Sequence, residues 1–179
     1  MLIGLCGAAG SGKNTTADAL TRVFGVSQIS FAGPIYEAVS AITGIPVVRL
    51  QDRSTKEEPI PWLGKSPREL LQTLGTEWGR DTVHREIWVR RAMRAASGYV
   101  DAVITDVRFD NEAQAIRDAG GVVWEIRRMG AGIPGGHSSE AGVSDALIDL
   151  RIDNDGSRDD LAATVYTAWR SLLNGTMDR

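Results

Sequence analysis

Apolar positions along this chain follow two rhythms that alternate from one end to the other. Short runs, most of them apolar, occupy residues 2–6, 27–31, 102–105, 122–126 and 150–152. Runs of that length, bounded by glycine or polar clusters, predict strands. Between them the spacing turns helical. Ala17, Leu20, Val23 and Phe24 fall on one face of a helix over 15–24, and Ala32-Gly33-Pro34 opens another that runs to about residue 43. Leu70, Leu71, Leu74 and Trp78 form the buried stripe of a helix starting at Ser66, where Ser66 and Glu69 have capping-box spacing. Trp88, Val89, Ala92, Met93 and Ala96 mark a helix over 85–96, and Phe109, Ala113 and Ile116 one over 109–119. A short helix is expected near 139–143. A closing helix over 159–173 rests on Leu161, Val165, Ala168, Trp169 and Leu172. Strands alternating with helices predict an α/β fold, a parallel sheet with helices on both faces. Only residues 44–67 break the rhythm. They hold four of the six prolines and a polar run over 51–58, yet Trp62 and Leu63 need somewhere to pack. This predicts an excursion with a function of its own rather than a linker.

Composition narrows the picture. At 179 residues the chain suits one domain with a full core. No apolar run approaches a membrane span, and the first apolar stretch is too short for a signal peptide, so the expectation is a cytoplasmic protein without a membrane partner. The single cysteine, Cys6, excludes an internal disulfide and reads as a small core residue. A net charge of −3 argues against nucleic acid as a partner. The basic residues are skewed, 17 Arg to 3 Lys, and arginine is the better fork for phosphate. Arg85, Arg90, Arg91 and Arg94 read as a solvated helix face.

The chemistry begins at Gly7-Ala8-Ala9-Gly10-Ser11-Gly12-Lys13-Asn14-Thr15, between the first strand and the first helix. Glycines there let successive N–H groups line one concave nest, and the helix adds the positive end of its dipole. Such a turn wraps a phosphate chain, with Lys13 as a mobile charge for the terminal phosphates. The common pattern places Ser or Thr directly after the lysine, where the hydroxyl binds Mg²⁺. Here that position is Asn14 and the hydroxyl follows at Thr15. An amide carbonyl is a weak ligand, so the metal is expected to be held largely through water, with Thr15 on a phosphate oxygen or near the metal.

In parallel sheets ligands gather at the carboxyl ends of the strands. Asp106, Arg127, Arg128 and Asn154 fall at or just past strand ends, as the glycine loop does. Asp106 is a candidate Mg²⁺ carboxylate, with capping of the next helix as the plainer alternative. Arg108 is placed to grip a phosphate. Arg127 and Arg128 border a glycine-rich flap over 129–137, whose composition suits closure over a transferring phosphoryl group. Phosphoryl transfer is mostly positioning plus charge neutralisation. A phosphate monoester acceptor is already ionised and needs cations, whereas a hydroxyl acceptor needs a carboxylate base. Many arginines and one evident strand-end carboxylate tilt the balance toward a phosphate acceptor.

Four blocks together resemble the phage-type deoxynucleoside monophosphate kinases, within the P-loop nucleoside monophosphate kinase group. They are GAAGSGKNTTAD (7–18), SPRELLQTLGTEWGR (66–80), DVRFDNE (106–112) and HSSE (137–140). The second is the most discriminating, since the glycine loop alone marks only the superfamily. The resemblance implies a three-layer P-loop NTPase-type fold over 1–179, with five parallel strands, a substrate arm about 33–97 and a lid about 127–143. It implies ATP and Mg²⁺, with Gly7, Gly10, Ser11, Gly12, Lys13, Asn14, Thr15 and Thr16 on the ATP phosphates, Asn154 near the donor base, and Asp106 with Thr15 at the metal. It makes Phe31, Arg68, Gln72, Thr76 and Arg80 candidates for holding the deoxynucleotide. Arg108 would take the acceptor phosphate, Arg127 or Arg128 the transition state, and His137 and Glu140 would belong to the lid. A basic residue is expected near the start of the helix after Ser30-Phe31-Ala32, where this chain has Tyr36. The implied activity is ATP-dependent conversion of deoxynucleoside monophosphates to diphosphates, in the host cytoplasm if the chain is phage-encoded, with a homodimer allowed. Two alternatives remain at this point: a P-loop kinase for another acceptor, such as dephospho-coenzyme A or a sugar acid, and a nucleotide-binding switch without turnover.

Overall fold

A computed structural model describes residues 1–132 and 142–175. The chain divides into two compact units, one made of Met1–Ile29 with Ala92–Arg179 and the other of Ser30–Arg91.

The first unit is built on a five-stranded parallel sheet in the order β2-β3-β1-β4-β5. Its strands are β1 (Leu2–Cys6), β2 (Ser27–Ile29), β3 (Ala102–Ile104), β4 (Val122–Arg127) and β5 (Leu150–Asp153). Alternation along the strands sets the two faces. Ile3 and Leu5 of β1, with Val122, Trp124 and Ile126 of β4, join a core completed by Ala17 and Leu20 of α1 (Lys13–Phe24) and Leu161, Val165 and Trp169 of α8 (Arg158–Leu173). On the other face a Cβ built on Gly4 would stand 2.5 Å from Ile116 Cδ1, so α7 (Asp110–Asp118) packs directly on β1 there. The expected helix-covered parallel sheet is therefore the architecture observed.

Some expectations needed adjustment. Val23, placed in the stripe of α1, is exposed, while Phe24 stacks on Trp169 with ring centroids 4.9 Å apart. Phe109 is extended and partly exposed, just ahead of α7. The short helix expected near 139–143 lies mostly outside the described residues, and a single 3₁₀ turn at Asp145–Leu147 follows it.

The second unit is helical. It holds α2 (Gly33–Thr43), α3 (Val47–Gln51), α4 (Arg53–Lys56), α5 (Pro67–Gln72) and the start of α6 (Ile87–Ala96). The excursion over 44–67 thus contains two short helices, joined to irregular segments. Asp52 caps α4 by accepting from Ser54 N at 3.0 Å, and Leu50 and Ile60 are buried. Trp62, expected to pack, is instead exposed. The capping box at α5 forms: Ser66 N donates to Glu69 Oε2 at 2.8 Å, and Glu69 N to Ser66 Oγ at 3.3 Å. Beyond Gln72 the helix continues without a break but changes winding, with Thr73–Val83 forming a π-helix. The change moves the buried face. Trp78 is 48% exposed, whereas Gly75 and Gly79 are buried.

Candidate active site

Sheet topology fixes where the first unit can bind a ligand. After β1 the chain leads to β2 on one side of the sheet, and after β3 it leads to β4 on the other. The carboxyl ends of β1 and β3 therefore flank a topological switch point, where the loops part and leave a crevice. The glycine loop follows β1, and Asp106 and Arg108 follow β3.

Two glycines in the loop are required by space as well as by conformation. Gly7 has φ +126°, and a Cβ on it would meet the Ile126 carbonyl oxygen at 2.2 Å. Gly12 has φ +110°, and a Cβ there would meet Asn154 Nδ2 at 2.2 Å. Asn154 is buried, and its amide donates to Ser11 O at 2.8 Å, with its own N–H on Arg127 O at 2.7 Å. Its side chain thus braces the back of the loop. Gly132 N donates to Ala9 O at 3.1 Å, which ties the root of the glycine-rich flap to the loop. Met129 N, on the same root, donates to Asp155 Oδ1 at 2.6 Å.

Lys13 Nζ donates to Gly7 O at 2.7 Å and Ala8 O at 2.8 Å, so the ammonium lies across the mouth of its own loop. Desolvation lowers its pKa below the usual lysine value, and the nearby Arg108 guanidinium adds to this; Asp106 opposes it. Lys13, Arg108 and Asp106 therefore share one electrostatic neighbourhood. Asn14 is exposed and Thr15 half-buried on the first turn of α1. Thr16, expected among the phosphate-binding residues, is fully buried on the same face as Leu20. Its Oγ1 has no hydrogen-bond partner among the described residues, and Thr15 is the more exposed of the two hydroxyls. Ser11 is fully buried too, and its Oγ has no hydrogen-bond partner among the described residues.

At the end of β4 the two arginines differ. Arg127 Nε donates to Glu125 Oε2 at 2.8 Å, and Glu125 also accepts from Arg151 Nε at 3.1 Å. Arg128 is exposed and makes no ion pair among the described residues. Its guanidinium is the available one. His137 and Glu140 lie outside the described residues.

Glu112 escaped the sequence reasoning. It is 3% exposed, and its Oε2 accepts from Arg108 N at 2.8 Å and Phe109 N at 3.2 Å. A carboxylate holding two backbone donors fixes the loop that carries Asp106 and Arg108. Its sequence signal was the acidic residue three positions into α7, at capping-box distance from Phe109.

In the second unit Arg68, Gln72 and Thr76 are exposed and Arg80 is half-buried, on α5 and the π-helix that extends it. Arg68 is engaged by Glu57 through Nε. Phe31 is buried. Tyr36, where a basic residue was expected, has a cation beside it: Lys56 Nζ of α4 donates to its hydroxyl at 2.7 Å and sits 5.3 Å from the ring centroid.

Among the described residues no three His, Cys, Asp or Glu side chains come together as a metal cluster. A lone carboxylate beside a phosphate loop suits a magnesium ion that keeps waters and phosphate oxygens as most of its ligands. No helix of the described residues is long and apolar enough to cross a membrane.

The profile of the deoxynucleotide monophosphate kinase family matches residues 50–165. A provisionally named deoxynucleotide monophosphate kinase of Acanthamoeba polyphaga mimivirus is 35% identical, covering 78% of this chain and 80% of its own. The deoxynucleotide monophosphate kinase of Enterobacteria phage T4 is 26% identical, with 96% of this chain and 99% of its own covered. Among solved structures, shikimate kinase from Aquifex aeolicus superposes with a TM-score of 0.56 at 13% identity, over 97% of this chain and 98% of its own. At that identity the likeness speaks for the fold alone.

Proposed function

The chain belongs to the deoxynucleotide monophosphate kinase family, and from that premise we infer that it transfers the terminal phosphoryl group of ATP to deoxynucleoside 5'-monophosphates, giving diphosphates for DNA synthesis. The observation that carries this reading is the braced glycine loop at the switch point, with Lys13, Asp106 and Arg108 in one electrostatic neighbourhood. The family profile covers residues 66–80, the block least expected of kinases for dephospho-coenzyme A or sugar acids. The arginines that border the glycine-rich flap argue against a switch protein without turnover.

The nest of backbone N–H groups in 7–13 holds the donor phosphates, with the α1 dipole behind it. Lys13 neutralises the terminal phosphates, and Thr15 bonds a phosphate oxygen. Asp106, directly or through water, would hold Mg²⁺, which supplies charge neutralisation on the phosphates when bound. Arg108 takes the acceptor phosphate. Arg128, rather than the Glu125-bound Arg127, stabilises charge on the phosphoryl group in transit. The unit Ser30–Arg91 acts as the substrate arm, with Phe31, Arg68, Gln72, Thr76 and Arg80 holding the deoxynucleotide and Lys56 on Tyr36 as a further cation. No residue serves as general base, since the attacking phosphate oxygen is already ionised. The viral relatives favour action in a host cytoplasm.

A coupled ADP-release assay with each deoxynucleoside monophosphate tests the reading. Turnover with at least one of them, dependent on ATP and Mg²⁺, is the expected result. ATP binding without turnover on any of them would overturn it.

A further inference from the structure

Arg68, Gln72, Thr76 and Arg80 are spaced four residues apart. On a regular α-helix each four-residue step overshoots a full turn by about 40°, so such residues spiral away from one another. The first step here, Arg68 to Gln72, lies in α5. The next two lie in the π-helix. With bonds from i to i+5, a π-helix takes more residues per turn, and a four-residue step falls short of one. The two drifts have opposite sign and offset each other. The change of winding at Thr73 therefore keeps all four side chains in one row.

The winding has an identifiable cause. Trp88, 7% exposed, donates its indole N–H to Gly75 O at 2.7 Å. Its ring lies against Gly79, where a Cβ would stand 2.6 Å from Cζ2 and 2.9 Å from both Cε2 and Nε1. A Cβ on Gly75 would stand 3.1 Å from Ile35 Cδ1. Neither glycine has positive φ, so both are present for the space they leave and not for conformational freedom. The last turn closes with His84 N on Gly79 O at 2.9 Å, an i to i+5 bond. Gly75 thus meets the indole through its carbonyl and gives its own space to Ile35, while Gly79 gives its space to the ring. Isolated π-turns recur at functional sites, but an eleven-residue stretch needs sustained support.

We propose that Trp88, Gly75 and Gly79 are positioning residues for the acceptor nucleotide: the indole wedge holds the π winding, and the winding sets Arg80 in line with Arg68, Gln72 and Thr76. This rests on the reading of those four residues as the acceptor site. Trp88 touches no substrate and acts through Arg80. The glycines are needed because any side chain at 79 would expel the ring and let the helix relax to α winding, which rotates Arg80 out of the row.

Steady-state kinetics on the full chain separate the two ideas. Arg80→Ala tests the acceptor site, and its acceptor KM should rise about tenfold or more, the usual loss for a hydrogen bond to a charged group. Gly79→Ala should raise acceptor KM to a similar extent, with the KM for ATP unchanged. Trp88→Phe, which keeps a ring but loses the donor, should give the same split at smaller size. The double variant Gly79→Ala/Arg80→Ala should be no worse than Arg80→Ala alone, because both changes remove one interaction. If Arg80→Ala leaves acceptor KM unchanged, the acceptor-site reading fails and the positioning role falls with it. If Arg80→Ala raises it but Gly79→Ala and Trp88→Phe do not, or if the effects add, the positioning role alone is refuted. Should Gly79→Ala fail to fold, Trp88→Phe with Arg80→Ala completes the same cycle, and equal increases in both KM values would mark a merely structural role.

Discussion

The two units hold their candidate residues by different means. In the sheet unit, position comes from backbone geometry. The loop is fixed by Asn154 on Ser11 O, by Gly132 on Ala9 O and by two glycines that admit no side chain. In the unit Ser30–Arg91, the proposed position comes from the pitch of a helix, with one indole ring against Gly79 and hydrogen-bonded to the Gly75 carbonyl. The first arrangement ties together residues far apart in sequence and resists single changes in rotamer. The second is local, and one methyl group can shift a whole row. With the proposed roles, the contrast makes the donor end rigid and the acceptor end tunable by small substitutions.

The contrast can be broken at several points. The severest is Lys13→Ala, for which kcat should fall by about a thousandfold or more, with circular dichroism unchanged, since an oriented charge on the transferring group is removed. A folded, active variant would deny the loop its role. Next come the paired arginines. Arg128→Ala should lower kcat by about a hundredfold, whereas Arg127→Ala, whose partner is Glu125, should stay within a few-fold of the parent. The reverse order would mean that the Glu125 pair opens during turnover. Asn154→Ala should raise the KM for ATP by about tenfold, through loss of a buried hydrogen bond and a cavity behind Gly12, and leave the acceptor KM alone. An equal rise in both would erase the distinction between the two ends. The smallest effect concerns Cys6. Burial, with Glu125 adding to it, pushes the thiol from 9.0 up to about 11. The thiolate forms only as pH rises towards that raised value, so at pH 8 it is about a hundredfold scarcer than on a free cysteine. Native protein should therefore resist iodoacetamide until the sheet opens. Rapid labelling under native conditions would show that the floor of the loop is less rigid than its hydrogen bonds imply.

Much of the sheet unit was legible in the sequence because its central strands β1 and β3 are buried on both faces and read as unbroken apolar runs, while its loop is punctuated by glycines with one steric purpose. The brace on that loop was not legible, since Asn154 and Ser11 stand 143 residues apart. Glu112 was passed over for a different reason: capping-box spacing is read from a Ser or Thr partner, and the residue at that position is Phe109. The π-helix defeated the periodicity argument in a specific way. A stripe at 3.6-residue spacing placed Trp78 inside, but the buried positions are Gly75 and Gly79, which carry no hydrophobic signal. Their partner, Trp88, was correctly expected to be buried, and nothing in its neighbours indicated against what.

An ammonium has three donors, and Lys13 directs two of them at the carbonyls of Gly7 and Ala8. The lysine tail is thereby ordered before any nucleotide arrives. Conformational freedom that a loose lysine would surrender on binding has already been given up during folding, and the charge waits partly stripped of water. Arrival of a phosphate then exchanges weak carbonyl partners for strong anionic ones with little further ordering. On this account affinity for ATP should owe more to enthalpy, and less to conformational cost at Lys13, than in a loop whose lysine is free.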